Sequence, residues 1–181
     1  NWMYQWMNAG VPQPNYFADA AIIQAAFDGI IAGGDTPVLK GFFWFQGEGD
    51  TGSFTHMDLY QSRFNDLAQK FNTDFAANII SVVMVIDADP DFPFVGGRTQ
   101  AHIDYMRAVH FAIGGQAMMT AVDTRGYDRY DTWHVTTPEL RRLGTEAAGA
   151  FIKTASIPEP SSALLLTGML SSMLRLRKRI K

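Results

Sequence analysis

Apolar residues recur at intervals of three and four positions in four long stretches of the chain, a period that predicts amphipathic helices. The predicted helices cover residues 16–31, 54–71, 99–113 and 137–154. Terminal residues support these bounds, because Gly33-Gly34 should end the first helix and Pro138 suits the first helical position of the last. Before residue 16 the chain is short and ends in two prolines, which predicts a short element followed by a loop.

Each predicted helix should turn one apolar face toward the core. In the first helix this face consists of Ala20, Ile23, Ala26, Phe27, Ile30 and Ile31. In the third it consists of Ile103, Met106, Val109 and either Ala112 or Ile113. Arg107 of the third helix is expected to point outward. The N-cap of the second helix should be Ser53 or Thr55, and that of the fourth Thr136 or Thr137.

Three apolar runs between the helices predict buried parallel strands. They cover residues 38–45, 79–86 and 117–122. The first run is so aromatic that we expect it to be covered on both faces. Because strands and helices alternate, the sequence predicts an α/β fold, a three-layer sandwich in which helices cover both faces of a parallel sheet.

Composition fits one soluble domain with a sizeable core, since 47% of the 181 residues are hydrophobic and 18% are charged. Residues 1–155 contain ten basic and seventeen acidic residues, a balance of −7 that repels phosphate, so we expect no nucleic-acid partner. The absence of cysteine excludes disulfides, thiolate metal sites and a cysteine nucleophile. The chain starts at Asn1 without a signal-peptide pattern, and we expect it to be the later part of a longer protein.

Polar residues follow the predicted strands, at the sheet edge where ligands bind in open α/β folds. Gln46 to Asp50 follows the first strand, and residues 87–91 follow the second with three aspartates. A calcium site at 87–91 is the minor alternative to a plain acidic turn, because no glutamate closes the loop at the EF-hand spacing and Pro90 interrupts it. We expect neither a metal nor a cofactor.

Asp131 and His134 stand three positions apart in the loop before the last helix. A carboxylate at this spacing can hold the imidazole in one tautomer while the imidazole withdraws a proton from a serine hydroxyl. The alternative is a packed, hydrogen-bonded histidine without a catalytic role.

Residues 44–50 read Trp-Phe-Gln-Gly-Glu-Gly-Asp. This stretch resembles the Trp-His-Gln-Gly-Glu-Ser-Asp signature of the sialate O-acetylesterase-like (SASA) carbohydrate esterases, a branch of the SGNH hydrolases. Five of seven positions match, and the departures are Phe45 and Gly49. Asp131 and His134, followed by Leu143-Gly144 and Ala147-Ala148, resemble the Asp-x-x-His block that closes sequences of the same family.

The resemblance implies an SGNH (flavodoxin-like) hydrolase fold over residues 1–155, incomplete at its amino terminus, and a serine esterase that removes acetyl groups from carbohydrate. It implies that His134 is the general base and that Gln46 donates to the oxyanion, with Gly47 allowing the backbone to approach. Either Asp131 or Glu48 would be the acidic partner of the histidine, and we favour Asp131.

The nucleophile of this family lies in a Gly-Asp-Ser or Gly-Gln-Ser block after the first strand, and the sequence contains no such block. Ser53, Ser62 and Ser81 lie after the signature or within other predicted elements. We therefore expect this chain to be inactive by itself. The alternative is a non-catalytic carbohydrate-binding or surface protein on the same scaffold.

Residues 156–181 form a second region, with Pro158-Glu159-Pro160, an apolar stretch and five basic residues among the last seven. This region resembles the PEP-CTERM sorting signal of Gram-negative bacteria. The resemblance implies export to the cell envelope or surface, transient anchoring in the inner membrane and processing by an exosortase-type enzyme. As a helix, the apolar stretch of residues 163–174 would span only about 18 Å of a membrane hydrocarbon core roughly 30 Å thick. The alternative is a C-terminal amphipathic helix docked on the domain.

Overall fold

The computed structural model describes residues 3–89, 94 and 96–156. Within these residues the helices are α1 (Pro14–Ala32), α2 (Phe54–Asp74), α3 (Gln100–Gly114) and α4 (Thr137–Ala155). The strands are β1 (Met7–Asn8), β2 (Val11–Pro12), β3 (Gly41–Trp44), β4 (Ile80–Val85) and β5 (Met119–Asp123). The first two strands form a small antiparallel hairpin, and the other three form a parallel sheet in the order β3-β4-β5.

The side chains of β4 alternate between two helical layers, because successive residues of a strand point to opposite faces. Val83 belongs to the cluster that contains Phe64 of α2 and Met106 of α3. Val82 belongs to the cluster that contains Leu143 of α4. Helices therefore cover both faces of the parallel sheet, and the predicted α/β fold class is confirmed. Ser53 and Thr136 are the N-caps of α2 and α4.

The expectation that the first predicted strand is covered on both faces is wrong. Phe43 in β3 is 51% exposed, because β3 lies at an edge of the sheet and, within the described residues, pairs with β4 alone. An apolar groove flanks it on either side. The groove toward α4, about 280 Å³, is lined by Phe43, Phe45, Met84, Leu140, Leu143, Gly144 and Ala147. The groove toward α1, about 290 Å³, is lined by Asp19, Ile22, Ile23, Phe42, Phe43, Trp44 and Phe71.

The predicted core face of α1 is correct only in part. Ala20 and Ile23 pack against the core, and Phe27 packs edge-on against Phe75 beyond the end of α2. Ile30 and Ile31 are exposed instead, and so is Ala26. Helix α1 is apolar on nearly all sides. Its sequence pattern therefore does not show which residues face α2 and the core.

The expectation that Arg107 points outward is also wrong. Its side chain is 13% exposed and its Nη1 lies 3.2 Å from Oδ1 of Asp87, while Nη2 lies 3.9 Å from Oδ1 of Asp123. The long side chain reaches the carboxylates that follow β4 and β5, and such pairing makes its partial burial tolerable. Among the residues that the structure describes, no group of three His, Cys, Asp or Glu side chains could hold a metal ion.

No helix within the described ranges is long and apolar enough to cross a membrane. Residues 157–181, which are all but the first residue of the predicted sorting region, lie outside the described residues, as do residues 90 and 91 of the acidic turn.

Candidate active site

A cavity of about 450 Å³ lies where the loop after β3 meets the loop before α4. It is lined by Phe45, Gln46, Glu48, Gly49, Arg98, Trp133 and His134. Three of the predicted site residues, Gln46, Glu48 and His134, therefore contribute to one concave surface. They meet because both loops follow the carboxyl ends of parallel strands, and these strand ends lie together at one end of the sheet.

Asp131 holds the imidazole of His134. Nδ1 of His134 lies 2.7 Å from Oδ2 of Asp131, and the backbone N–H groups of Trp133 and His134 both donate to Oδ1 at 2.8 Å. Burial alone would raise the pKa of Asp131, but these hydrogen bonds and the nearby imidazole lower the pKa to about 2. The carboxylate is thus ionised near neutral pH and fixes a proton on Nδ1, which leaves Nε2 as the acceptor.

Gln46 is held by a buried chain of hydrogen bonds. Nε1 of Trp44 donates to Oη of Tyr60 at 2.8 Å, and this hydroxyl donates to the backbone carbonyl of Gln46 at 2.6 Å and lies 3.1 Å from Oε1 of Gln46. Nε2 of Gln46 faces Oδ2 of the fully buried Asp50 at 3.5 Å. A phenol on one side and a carboxylate on the other orient the amide, and its NH₂ group keeps a second N–H beyond the one directed at Asp50.

Gly47 adopts a backbone conformation that favours glycine, with φ at +152°. A Cβ atom here would lie 2.9 Å from Cε1 and 3.0 Å from Nε2 of His110, so the loop and the imidazole are in close contact. His110 is fully buried and its Nδ1 accepts the backbone N–H of Ile86 at 3.2 Å. Burial lowers its pKa from 6.5 to about 3, and His110 is therefore neutral at physiological pH.

Glu48 lies in the cavity wall but does not bind the ring of His134 directly in the described contacts. Its Oε2 accepts the backbone N–H of Gly47 at 3.0 Å. Burial raises the pKa of Glu48, and this effect outweighs the backbone hydrogen bonds and the charge of His134, which lower it. The structure thus places Asp131, rather than Glu48, at Nδ1 of the histidine, and Glu48 fixes the loop after β3.

Arg98 joins the two loops that form the cavity. Its Nε donates to Oγ1 of Thr51 at 2.7 Å and its Nη2 donates to the backbone carbonyl of Glu48 at 3.3 Å. Its guanidinium also lies 5.8 Å from the centre of the Trp133 ring. Sequence reasoning missed Arg98, His110 and Tyr60, because none belongs to a motif and each reaches the signature loop only through tertiary contacts.

The three serines considered from the sequence do not line this cavity. Ser53 is the N-cap of α2, Ser62 donates to the carbonyl of Leu59 within α2, and Ser81 is buried in β4. Among the described residues that line the cavity there is no serine, threonine or cysteine.

The family model of the SASA carbohydrate esterases, sialic acid-specific acetylesterases, matches residues 4–153. The chain belongs to the SASA family. Both the loop after β3 and the Asp131-His134 loop fall within the matched range, so the cavity is built from parts of this SASA domain. Comparison of the sequence with curated proteins gives no match.

The SASA chain is similar in fold to a crystal structure of a protein from Arabidopsis thaliana, with a TM-score of 0.63 and 20% sequence identity. The match covers 83% of this chain and 56% of the plant protein's chain. The SASA chain thus spans little more than half the length of that solved structure, and at this identity the likeness concerns the fold alone.

Proposed function

We propose that this protein is a carbohydrate O-acetylesterase. The described chain would supply three parts of its site: the general base His134, its acidic partner Asp131 and the oxyanion donor Gln46. The observation that supports this most directly is that His134, oriented by Asp131, and Gln46 line one cavity. The membership of the SASA family supports the same reaction class.

In the proposed reaction a serine hydroxyl attacks the carbonyl carbon of a sugar acetate while Nε2 of His134 takes the hydroxyl proton. The NH₂ group of Gln46 stabilises the negative oxygen of the tetrahedral intermediate. The sugar alcohol leaves with the proton returned by His134, and the acetyl group remains on the serine. Water, deprotonated by the same imidazole, then attacks the acetyl carbon, and acetate leaves as His134 returns the proton to the serine oxygen.

We propose that the serine follows directly after a further strand, which pairs in parallel with the side of β3 that is unpaired within the described residues. The two apolar grooves beside β3 support this, because a strand there would bury side chains on both faces of the sheet. The carboxyl end of a parallel strand would also lie at the same end of the sheet as Gln46. The Gly-Asp-Ser-type block expected for the family, absent from this sequence, would then be part of a longer protein.

We also propose that the protein is exported to the envelope or surface of a Gram-negative bacterium and sorted by its C-terminal region. The support is the order of a Pro-Glu-Pro linker, an apolar stretch and a basic end in residues 156–181. An exosortase-type enzyme would recognise this region while it is briefly anchored in the inner membrane.

The activity is tested by comparing residues 1–181 with the protein produced from the whole reading frame. We expect the whole protein to hydrolyse an aryl acetate and O-acetylated sialic acid with formation of an acetyl-serine, and residues 1–181 to do neither. His134→Ala should abolish nearly all turnover of the whole protein, while His56→Ala on α2 serves as the matched control. An acetyl adduct on Ser53, Ser62 or Ser81 of the short chain would contradict the proposal.

The second candidate is a carbohydrate-binding protein without catalysis. The absence of a nucleophile from the described lining, together with the aromatic side chains of Phe45 and Trp133, favours this candidate. A whole protein that binds acetylated sugar in calorimetry but never releases acetate would establish it and overturn the first.

A further inference from the structure

The loop that contains Asp131 and His134 is a tight hairpin held by its own backbone. Arg129 and Val135 form an antiparallel bridge, and the N–H of Tyr130 donates to the carbonyl of His134 at 3.1 Å. These contacts fix the shape of the hairpin. They do not fix its position over the sheet, which requires contacts to other elements.

The side chain of Arg129 makes several of those contacts, beside the N–H of Asp89, which donates to the carbonyl of Thr132 at 3.1 Å. The Arg129 side chain is only 3% exposed, and its Nη2 donates to the carbonyl and to Oγ1 of Thr124, at 3.1 and 3.0 Å. Its Nη1 donates to the carbonyl of Tyr127 at 2.9 Å and lies 3.8 Å from Oδ2 of Asp87. Since Thr124 in turn donates to the carbonyl of Val85 at 2.7 Å, one guanidinium links the hairpin to the ends of β4 and β5.

Arg125 offers a contrast within the same loop. It pairs with Asp123, as Arg129 pairs with Asp87, but its side chain is 61% exposed and its described partners are confined to Asp123, two residues away. A general need for positive charge near these aspartates would be met equally by either arginine. Of these two arginines, only Arg129 donates from one planar guanidinium both to a carbonyl group of the loop and to Thr124 at the end of β5.

We propose that Arg129 is a positioning residue, which fixes the hairpin on the strand ends so that Asp131 and His134 face the cavity. The inference deepens the proposed function, since it rests on His134 as the base. Arg129 does not touch the cavity lining given above and acts through the hairpin.

The test uses residues 1–181 without substrate and compares Arg129→Met, Arg129→Lys and Arg125→Met. In the unchanged chain and in Arg125→Met, the N–H of Asp89, which donates to the carbonyl of Thr132 at 3.1 Å and so ties the hairpin to the loop after β4, should be protected from hydrogen exchange. In both Arg129 variants this amide proton should exchange roughly tenfold faster or more, because the displaced hairpin no longer holds the carbonyl of Thr132 against it. NMR contacts between the Arg98 side chain and the Trp133 ring should weaken in the same two variants.

Arg129→Lys keeps the charge, so faster exchange of the Asp89 amide proton in that variant reports lost geometry rather than lost electrostatic attraction. It also serves if Arg129→Met does not fold. Unchanged Asp89 exchange and unchanged contacts between Arg98 and Trp133 in a folded Arg129→Lys would overturn the inference, as would equal changes in Arg125→Met. Neither readout depends on turnover, so failure here leaves the esterase proposal intact, and an inactive whole protein leaves these results unaffected.

Discussion

Gly47→Ala should destabilise the domain by forcing a side chain between the loop after β3 and His110. The φ of +152° places residue 47 in a region that costs a non-glycine residue about 1–3 kcal/mol. The added Cβ would lie 2.9 Å from the imidazole, and relieving such overpacking costs about 1–3 kcal/mol more. His110 cannot move away easily, because it is fully buried and its ring lies 5.2 Å from that of Tyr60.

The total of about 2–6 kcal/mol is measurable by urea unfolding, and it corresponds to a fall in melting temperature of roughly 4–24 °C for a chain of this length. Gly149→Ala is the matched control, because nothing lies within 4 Å of its added Cβ in α4. Alanine there should stabilise the helix by about 0.5–1 kcal/mol.

A double-mutant cycle separates the two contributions to the cost. In a His110→Ala background the clash disappears, and Gly47→Ala should cost only the backbone part, with a coupling energy of about 1–3 kcal/mol. A loss below about 1 kcal/mol in the single variant, or the same loss in both backgrounds, would refute the reasoning about His110.

Three further predictions concern pH, catalysis and the C-terminal region. The pKa of His110 falls from 6.5 to about 3 on folding, so the unfolded chain binds an extra proton between these values. Stability should therefore decrease as pH falls from about 6.5, by up to about 1.4 kcal/mol per pH unit, and urea titrations of His110→Phe should show a shallower slope. An equal slope in that variant would contradict the assignment. In the whole protein Gln46→Ala should lower kcat on an aryl acetate by about a hundredfold or more. Gln69→Ala, on the exposed side of α2, should not change kcat, and a Gln46→Ala effect below about threefold would remove the amide from the oxyanion site. Deletion of residues 158–181 should leave the melting temperature almost unchanged while cell fractionation shows the protein in a different compartment. A loss of several degrees would show instead that this region packs on the domain.

Residue periodicity is enough to predict the helices and the buried strand β4, because both depend on which side chains face the core along one element. Periodicity cannot predict that β3 lies at the edge of the sheet. The sequence of an aromatic strand has the same pattern whether the strand pairs on both sides or on one. Arg107 was misplaced for a related reason: its partners Asp87 and Asp123 become neighbours only when β4 and β5 pair.

The residues of the candidate site also fall into those that the sequence can indicate and those that it cannot. Gln46, Asp131 and His134 could be proposed from sequence because each belongs to a short motif. His110 and Tyr60 could not, because they lie on different helices and contact the loop only through tertiary packing. Arg98 joins residues on both sides of the cavity across a separation of about fifty positions, for which a single sequence contains no signal.

The free edge of β3 has a consequence for the solution behaviour of the chain. An unpaired strand edge exposes a row of backbone donors and acceptors, and here apolar grooves on both sides attract any extended segment that approaches. We expect two copies of the isolated chain to pair along these edges, with concentration-dependent self-association and then aggregation as the result. Lysine at position 43, where the exposed phenylalanine now lies, would place a charge on this edge and is the simplest way to keep residues 1–181 monomeric.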